Sequence, residues 1–295
     1  MRTAALVMID RPSIGQSGEG PAFRVLPADG PALRATDLGA VRGDGVFETA
    51  AIRHGHVQAA ADHLSRFARS AQMLDLPAPD PAVYTAAIDA GITELSDASD
   101  AAVKYVLTRG DELDRTLGPT GWALVSVSED FSAARRDGVA VVLLTRGYSL
   151  DVATSAPWLL QGAKTLSYAV NRAALREAAR RGAQDVLFTT TDGYVLEGPT
   201  SSVVVRLGDT LVTPPAEDGV LPGTTQLAVF ATAAGLGLRT AVRQIPVTDL
   251  VVADAVWLTS SVRLAAPVNA IDGVPRPVDR ELTAAFNEAL ATRTD

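Results

Sequence analysis

The segment from Lys164 to Ser202 places the tightest limits on how this chain folds. A helical run ends at Gly182, an apolar strand covers residues 185–189, and Thr191-Asp192-Gly193 is a tight turn into a second strand. Apolar runs on both sides of a glycine-containing turn are typical of a hairpin. The segment therefore predicts a helix and then a hairpin, with a lysine before the helix and Glu197 near the end of the returning strand.

Lys164 stands apart from other charged residues. It follows Gly162-Ala163 and precedes Thr165-Leu166, whereas most lysines lie on solvated surfaces. A partly desolvated amine has a lowered pKa, which allows it to form a Schiff base with a carbonyl group. The carboxylate of Glu197 can pair with a ring nitrogen. Hydroxyl and amide groups follow it at Thr200, Ser201 and Ser202.

Length, composition and charge limit the class of protein. The chain has 295 residues, enough for two modest domains or one large domain with a proper core. Hydrophobic residues make up 47% and charged residues 20%, which is ordinary for a globular enzyme. The net charge of −8 and the lack of a Lys/Arg-rich run argue against a nucleic-acid-binding surface.

The residue inventory also excludes several kinds of chemistry. The sequence contains no cysteine, so it has neither disulfides nor a thiolate nucleophile. Its histidines, His54, His56 and His63, lack a matching carboxylate spacing, so we expect no metal site. The first residues lack the apolar core of a secretion signal, and no apolar run approaches the roughly 20 residues that a membrane span needs. We therefore expect a cytoplasmic protein that binds neither membranes nor nucleic acid.

Two arginines are candidates for binding an anion, one on a predicted helix and one at the end of a predicted strand. Residues 62–76 have the apolar spacing of an amphipathic helix, with Asp62 as its cap and Arg66 beside the apolar stripe. The predicted strand at residues 102–108 ends in Arg109. An arginine in such a place is either an ordinary solvated residue or an anion-binding group, and the pattern alone leaves both interpretations open.

The second half of the chain has a helix start of the kind that binds anions. Gly223-Thr224-Thr225 precedes the predicted helix at residues 226–234, and free amides with threonine hydroxyls attract anions there. A simple capped helix explains the same residues. Further on, Arg263 follows Ser260-Ser261 in an apolar segment, where it contacts an acidic substrate or reaches solvent.

A polar, charged stretch at residues 129–138 marks the expected domain boundary. We assign residues 1–128 to a smaller N-terminal α/β domain, residues 129–138 to a linker, and residues 139–295 to a larger C-terminal domain that begins with a buried strand. A Gly/Ser/Pro-rich break at residues 13–21 is a loop or an insertion.

Five motifs follow one another over nearly the whole chain. They are Gly43–Thr49, His63-Leu64-x-Arg66, Lys164-x-Leu166 with Glu197-Gly198-x-x-Ser201, Leu221–Thr225, and Trp257–Ser261. In type and order they resemble the motifs of the fold-type IV pyridoxal-phosphate enzymes, also called the class IV aminotransferase family. This family comprises branched-chain and D-amino acid aminotransferases and 4-amino-4-deoxychorismate lyases.

The resemblance implies a two-domain α+β fold like that of D-amino acid aminotransferase, with pyridoxal 5′-phosphate in the cleft between the domains. It implies that Lys164, in the domain of residues 139–295, binds the cofactor covalently and moves protons. It also implies that Glu197 pairs with the pyridine nitrogen, that the substrate is a small-molecule amine, and that the protein is a homodimer. The further cofactor-binding residues that it implies are Arg66, Ser201, Thr224, Thr225 and Ser261.

Residues 164–171 and 260–265 look most like the 4-amino-4-deoxychorismate lyases of high-GC bacteria. Such an enzyme releases pyruvate and leaves 4-aminobenzoate, a folate precursor. The lyase resemblance implies that Arg109 faces the substrate carboxylates, and Arg263 is a second candidate cation for them.

Two alternatives to a lyase remain. The first is an aminotransferase that acts on branched-chain or D-amino acids. The second, from another class, is a binding or scaffold protein that kept the fold without the cofactor. The intact set of Lys164, Glu197 and Arg66 argues against this second alternative, because the fold alone would not require these groups.

Overall fold

The computed structural model describes residues 3–17 and 20–293. Residues 18–19, part of the Gly/Ser/Pro-rich break noted in the sequence, lie outside the described ranges. Within those ranges, no helix is both long enough and apolar enough to span a membrane.

The described chain divides into two compact units. The first unit takes in the residues up to Glu129 together with Ala163–Tyr168. The second takes in Asp130–Gly162 and Ala169–Arg293. Each unit has its own sheet and its own buried core.

The first unit is an antiparallel sheet against which helices pack. Its described strands are β1 (Ala4–Ile9), β2 (Phe23–Leu26), β3 (Gly45–Arg53), β4 (His56–Val57), β5 (Asp100–Thr108) and β6 (Thr120–Val127). Its described helices are α1 (Leu38–Arg42), α2 (Ala60–Met73) and α3 (Pro81–Thr93), with a 3-10 turn at Arg115–Leu117. The strands lie in the order β2-β1-β6-β5-β3-β4.

Alternation along β3 decides which side chains reach the helices. β3 pairs with β5 over its whole length, and Glu48 lies opposite Tyr105. Successive side chains of a strand point to opposite faces of the sheet, so Phe47 and Glu48 point in opposite directions. The Tyr105 ring packs edge-on against Phe67 of α2, with the ring centroids 4.9 Å apart. Glu48 therefore lies on the face that α2 covers.

The segment that carries Lys164 extends this sheet. The Phe47 amide donates to the Lys164 carbonyl (3.0 Å), and the Leu166 amide donates to the Gly45 carbonyl (2.8 Å). A Cβ atom on Gly45 would lie 2.7 Å from the carbonyl oxygen of Leu107 in β5, so the close pairing of β3 and β5 at this point requires glycine. The sequence assigned Lys164 to the domain of residues 139–295, whereas these backbone bonds group it with the first unit. The other predicted domain boundaries stay predictions.

The second unit is a mixed sheet against which further helices pack. Its described strands are β7 (Val139–Thr145), β8 (Asp185–Thr189), β9 (Ser202–Leu207), β10 (Thr210–Thr213), β11 (Arg239–Val242), β12 (Ala255–Ser260), β13 (Leu264–Ile271) and β14 (Val274–Pro275). Its described helices are α4 (Ser132–Asp137), α5 (Val152–Ser155), α6 (Ala169–Arg180), α7 (Thr224–Gly235), α8 (Asp249–Val252) and α9 (Arg280–Thr292). Short 3-10 turns cover Pro157–Leu159 and Ala216–Asp218.

The second sheet runs in the order β11-β10-β9-β12-β13-β7-β8, and β14 pairs with β13. The pairs β10–β11, β13–β7 and β7–β8 are parallel, and the others are antiparallel. Strand β9 lies between β10 and β12, and its residues 203–205 are fully buried. On one side of the core, Trp257 packs edge-on against Phe286 of α9 and its indole nitrogen donates to Thr283 Oγ1 (2.8 Å).

Helix α2 differs from the sequence prediction at its start and on its buried face. Its N-cap is Ala59, which has left-handed backbone angles and makes no side-chain hydrogen bond. Asp62 is therefore a residue of the first turn and not the cap. The buried side chains of this helix include His63 and Ser70 as well as Phe67. Two polar groups thus lie on the face that the sequence predicted to be apolar.

The start of α7 and the returning strand of the hairpin also differ from the sequence prediction. Helix α7 begins at Thr224, two residues before the predicted start, so both threonines lie in its first turn. In the hairpin, Val195 makes an isolated bridge with Thr189, and the Leu196 amide and Glu197 carbonyl bond to the backbone of Phe188. The next regular strand begins only at Ser202. Glu197 therefore lies in irregular backbone between these two points. Where the backbone is irregular, amide groups of this segment can form hydrogen bonds other than those between paired strands.

Candidate active site

The side chain of Lys164 lies on the face of an aromatic ring. Its Nζ is 4.6 Å from the ring centroid of Phe47. Its backbone amide donates to Ser70 Oγ of α2 (3.1 Å), and the Phe47 ring packs edge-on against Tyr168 at 5.2 Å. Cation–π attraction and this packing hold the half-buried amine in place.

Lys104 is the other lysine of the sequence. Its Nζ lies 6.0 Å from the centroid of the same Phe47 ring, and its side chain is exposed. Lys164 is therefore the nearer and the less exposed of the two amines. Lys104 is the natural comparison for the reactivity of Lys164.

Arg66 is held by a fully buried carboxylate. Its Nε donates to Glu48 Oε1 (2.7 Å) and its Nη2 donates to Glu48 Oε2 (2.8 Å). The side chain of Glu48 is 0% exposed and that of Arg66 is 10% exposed. Burial alone would raise the pKa of Glu48, but the hydrogen bonds and charge of Arg66, with a smaller contribution from His63, lower it to about 2. Glu48 is therefore ionised at neutral pH.

His63 completes this buried cluster. Its Nδ1 lies 2.8 Å from Glu48 Oε2 and 3.3 Å from Arg66 Nη2. Burial lowers the pKa of His63, and the charges of Arg66 and Lys164 lower it further against the opposing effect of Glu48. The imidazole is therefore neutral at pH 7. Because an ionised carboxylate only accepts hydrogen bonds, the Nδ1 atom carries the proton that is donated to Glu48.

Sequence reasoning did not select Glu48 or His63 as site residues. Both stand inside motifs that it did use, Gly43–Thr49 and His63-Leu64-x-Arg66. The signal that would have found them is a carboxylate inside a strand of small and apolar residues. Such a carboxylate needs a buried cationic partner.

Arg109 lies at the end of β5, where it joins two elements of the first unit. Its Nε donates to Asp44 Oδ2 (2.7 Å), and its terminal nitrogens donate to the carbonyls of Leu74 (2.5 Å) and Asp75 (3.2 Å) after α2. Its side chain is 30% exposed. The substrate contact expected for Arg109 stays a prediction, and the structure adds an anchoring role at the end of α2.

Glu197 is the carboxylate of the second unit that the sequence singled out. Its Oε2 accepts a hydrogen bond from the Leu221 amide (3.1 Å). It lines a mostly apolar cavity of about 150 Å³ together with Ser202, Gly223 and Gln226. The backbone before α7 therefore orients this carboxylate.

The start of α7 has the features of an anion site. Its N-cap is Gly223, which has extended backbone angles and no side chain to occupy the helix start. A Cβ atom at this position would lie 2.2 Å from Ser202 Oγ. Thr224 and Thr225 are buried in the first turn of this twelve-residue helix. First-turn amides lack partners within the helix and attract anions.

Two serines lie near the paired ends of β9 and β12. Ser202 of β9 lies opposite Thr259 of β12. Ser201 directly precedes this pair in the chain, and Ser261 follows the end of β12. The Ser201 hydroxyl is buried and has no hydrogen-bond partner among the described residues. A buried hydroxyl without a partner is costly, which makes it a candidate ligand for a bound group.

Arg263 lies in the second unit, and most of its side chain is buried. Its Nη1 donates to Asp185 Oδ2 (2.7 Å), with 13% and 2% of the two side chains exposed. Its Nε and Nη2 atoms are buried without a hydrogen-bond partner among the described residues. Arg263 is therefore an ion-paired and largely buried residue of the second unit. Contact with a substrate stays a prediction.

The sequence profile of the amino-transferase class IV family matches residues 45–271. The chain belongs to this family, which is a family of pyridoxal-phosphate-dependent enzymes. The bifunctional aminodeoxychorismate lyase / D-amino acid transaminase of Mycobacterium tuberculosis is 44% identical over 271 residues, or 88% of this chain and 93% of the relative.

Solved structures agree with the family assignment. A fold IV transaminase from Curtobacterium pusillum has a TM-score of 0.95 at 48% identity, covering 99% of this chain and 98% of its own. A hypothetical aminotransferase from Mycobacterium tuberculosis, in a PLP-bound form, has a TM-score of 0.88 at 40% identity, covering 97% of each chain.

These matches confirm the predicted family, the fold-type IV mixed α and β architecture, and the class of enzyme. They also confirm pyridoxal 5′-phosphate as the cofactor of the family. The name of the Mycobacterium tuberculosis relative covers both the predicted lyase and a transaminase, so both activities are candidates for this chain.

Proposed function

We propose that this protein uses pyridoxal 5′-phosphate to release pyruvate from 4-amino-4-deoxychorismate, which leaves 4-aminobenzoate. The observation that carries the proposal is the Lys164 amine on the face of Phe47, in a chain of the class IV aminotransferase family. The bifunctional relative supports the lyase reaction. A cytoplasmic homodimer is part of the same proposal, and light scattering of the purified protein measures its mass.

The proposed site residues carry groups that fit those of the cofactor. Lys164 supplies an amine for its aldehyde and Arg66 a guanidinium for its phosphate. Glu197 supplies a carboxylate for its pyridine nitrogen, and Ser201 a buried hydroxyl that has no partner in the described chain. When bound, the cofactor supplies an electron-withdrawing ring that stabilises the charge left on a reacting carbon.

Charge complementarity assigns the phosphate to Arg66 and to the start of α7. A guanidinium is always ionised and donates in a planar fork that matches phosphate oxygens. The first-turn amides of α7 and the hydroxyls of Thr224 and Thr225 are donors of the same kind. Ser261 adds one more hydroxyl next to the end of β12.

Two residues then act on protons. With the cofactor bound, the Lys164 amine would be the general base that removes a proton from the substrate carbon. The carboxylate of Glu197 would hold a proton on the pyridine nitrogen. The hydrogen bond from the Leu221 amide keeps that carboxylate in one orientation.

Two arginines distinguish the lyase from its alternative. Aminodeoxychorismate carries one carboxylate on its ring and one on its enolpyruvyl arm, so its site needs cations beyond the phosphate. Arg263 fits this need, because its buried Nε and Nη2 lack acceptors among the described residues. Arg109 is the second candidate cation for these carboxylates, and its Nε also donates a hydrogen bond to Asp44.

The second candidate function is a transaminase for D-amino acids, with branched-chain amino acids as the other substrate class. The names of the Mycobacterium tuberculosis relative and of the Curtobacterium pusillum structure favour it. A transaminase returns an amino group to a 2-oxo acid. It makes no 4-aminobenzoate.

A product assay tests the proposal. Purified enzyme is incubated with 4-amino-4-deoxychorismate, and separately with D-alanine or a branched-chain amino acid plus 2-oxoglutarate. We expect 4-aminobenzoate and pyruvate in the first reaction. The Arg109→Ala variant should lose about 2 kcal/mol or more of transition-state stabilisation and keep the cofactor spectrum of the wild type. Brisk amino-group transfer without 4-aminobenzoate, and without an effect of Arg109→Ala, would favour the transaminase.

A further inference from the structure

We propose that Glu48, held in turn by His63, is a positioning residue that sets the orientation of the Arg66 guanidinium toward the cofactor phosphate. This inference rests on the proposed function, because it takes Arg66 as the phosphate-binding arginine. It adds two residues, neither of which was among the site residues predicted from the sequence.

The hydrogen bonds of Glu48 select one edge of the guanidinium. The two carboxylate oxygens of Glu48 accept hydrogen bonds from Nε (2.7 Å) and Nη2 (2.8 Å) of Arg66. The terminal N–H groups that do not donate to Glu48 are the two of Nη1 and the second one of Nη2. One hydrogen of Nη1 and the second hydrogen of Nη2 form the other straight edge of the fork, and a straight edge is what pairs with two phosphate oxygens.

Without this carboxylate the arginine would lack a fixed orientation. Arginine has several rotatable bonds and loses about 2 kcal/mol of rotamer entropy when it is fixed. A carboxylate on a strand, bonded in two places, fixes both the position and the plane of the guanidinium. Glu48 is on β3, whose backbone also bonds to the Lys164 segment, so one strand positions both groups.

His63 holds the carboxylate in turn. Its Nδ1 donates to Oε2, the same oxygen that accepts from Arg66 Nη2. Because its pKa is lowered by burial, the imidazole adds no charge that would compete with Arg66 for Glu48 at neutral pH. Its place one turn before Arg66 on α2 puts both side chains on the face that Glu48 meets.

The test separates phosphate binding from all other cofactor contacts. Full-length protein freed of cofactor is titrated with pyridoxal 5′-phosphate and with pyridoxal, which lacks the phosphate, and both affinities are measured by absorbance. Glu48→Asp keeps the charge but shortens the side chain by one methylene. We expect it to weaken binding of pyridoxal phosphate by about tenfold or more and to leave pyridoxal binding within about twofold of wild type.

Asp111→Glu is the matched control. Asp111 is a buried carboxylate of the same unit, it pairs with Arg34 at 2.6 Å, and its pKa is also about 2. This change also keeps the charge and alters the side chain by one methylene. We expect it to leave the ratio of the two affinities unchanged. Equal weakening of both ligands in Glu48→Asp, or no weakening, would overturn the inference.

Arg66→Ala tests the proposed function separately. It should abolish most of the preference for pyridoxal phosphate over pyridoxal. If the preference survives, the phosphate assignment of Arg66 is wrong. If Arg66→Ala removes the preference and Glu48→Asp retains it, only the positioning role of Glu48 is overturned.

A second pair of variants covers the case in which Glu48→Asp does not fold. His63→Ala removes the donor to Glu48, whereas His63→Asn places an amide donor close to the position of Nδ1. We expect His63→Ala to lower the affinity ratio and His63→Asn to restore most of it. Equal ratios in the two variants would contradict the inference.

Discussion

At the scale of single residues, two lysines approach one ring in different surroundings. Lys164 lies 4.6 Å from the centroid of Phe47 and is half-buried, whereas Lys104 lies at 6.0 Å and is exposed. The shorter distance and the greater burial favour our proposal that Lys164 is the amine that binds the cofactor.

Borohydride reduction of the holoenzyme tests this selection. Reduction makes the link between the cofactor and its lysine permanent, and peptide mass spectrometry then locates it. We expect the pyridoxyl group on the peptide that contains Lys164. Lys104→Arg serves as the control and should be labelled like the wild type. A label on Lys104 would contradict the assignment of the catalytic lysine.

The residue scale also shows what the sequence could and could not predict. Arg66, Glu197 and Thr225 could be selected because each stands in a motif whose chemistry suits an anion or a ring nitrogen. The partners of Arg66 could not be predicted in this way, because Glu48 and His63 contact Arg66 only when β3 and α2 pack together. A sequence pattern gives residue types in order and does not give such contacts across elements.

At the scale of elements, the regular strands and helices followed from periodicity. The strand at residues 185–189 was predicted with the bounds that the structure has, because its apolar run ends at a glycine turn. The returning segment is predicted as a regular strand, but only a short part of it bonds to β8 and the next regular strand begins at Ser202. Alternation of residue type cannot show where a ladder is interrupted, since the interruption depends on neighbours distant in the chain.

The junction between β3 and the Lys164 segment depends on one glycine. An alanine at Gly45 would place its Cβ 2.7 Å from the Leu107 carbonyl oxygen and 2.8 Å from Leu166 Cδ1. The first contact is backbone, so it cannot be relieved by rotating a side chain. Either β3 or β5 must therefore shift, and a shift of β3 would move the backbone that bonds to the Lys164 segment.

We therefore expect Gly45→Ala to destabilise the protein by about 1–3 kcal/mol and to weaken cofactor binding. Denaturant unfolding and cofactor titration measure the two effects. Gly30→Ala is the control, because its Cβ would meet the nearest atom at 3.5 Å, an ordinary contact. It should change stability by less than about 0.5 kcal/mol. A Gly45→Ala protein as stable as Gly30→Ala would show that the close approach does not matter.

At the scale of the whole molecule, acid stability depends on a few buried groups. The chain carries 34 acidic and 26 basic residues. Many of its ion pairs are exposed, such as that of Arg24 with Asp10, and exposed pairs contribute little. The buried Glu48–His63 cluster is different, because its pKa values change on folding.

Both groups make the folded state less stable in acid. The pKa of Glu48 falls from 4.5 to about 2 on folding, so its contribution is complete above about pH 4.5 and is lost as the pH falls toward 2. This shift corresponds to about 3 kcal/mol. The pKa of His63 is lowered from 6.5, so protonation of His63 favours the unfolded chain as the pH falls below 6.5. The two effects have the same sign and begin at different pH values.

The free energy of unfolding, measured with denaturant at a series of pH values, should therefore be level near pH 8 and fall in two stages. The first stage, below pH 6.5, belongs to His63, and the second, below about pH 4.5, includes Glu48. His63→Asn does not titrate and keeps a donor to Glu48, so it should lose the first stage and retain the second. Other titrating groups are common to both proteins, and the difference between the two curves isolates His63. Identical slopes between pH 6.5 and 5 in the wild type and His63→Asn would mean that His63 is not held neutral by burial.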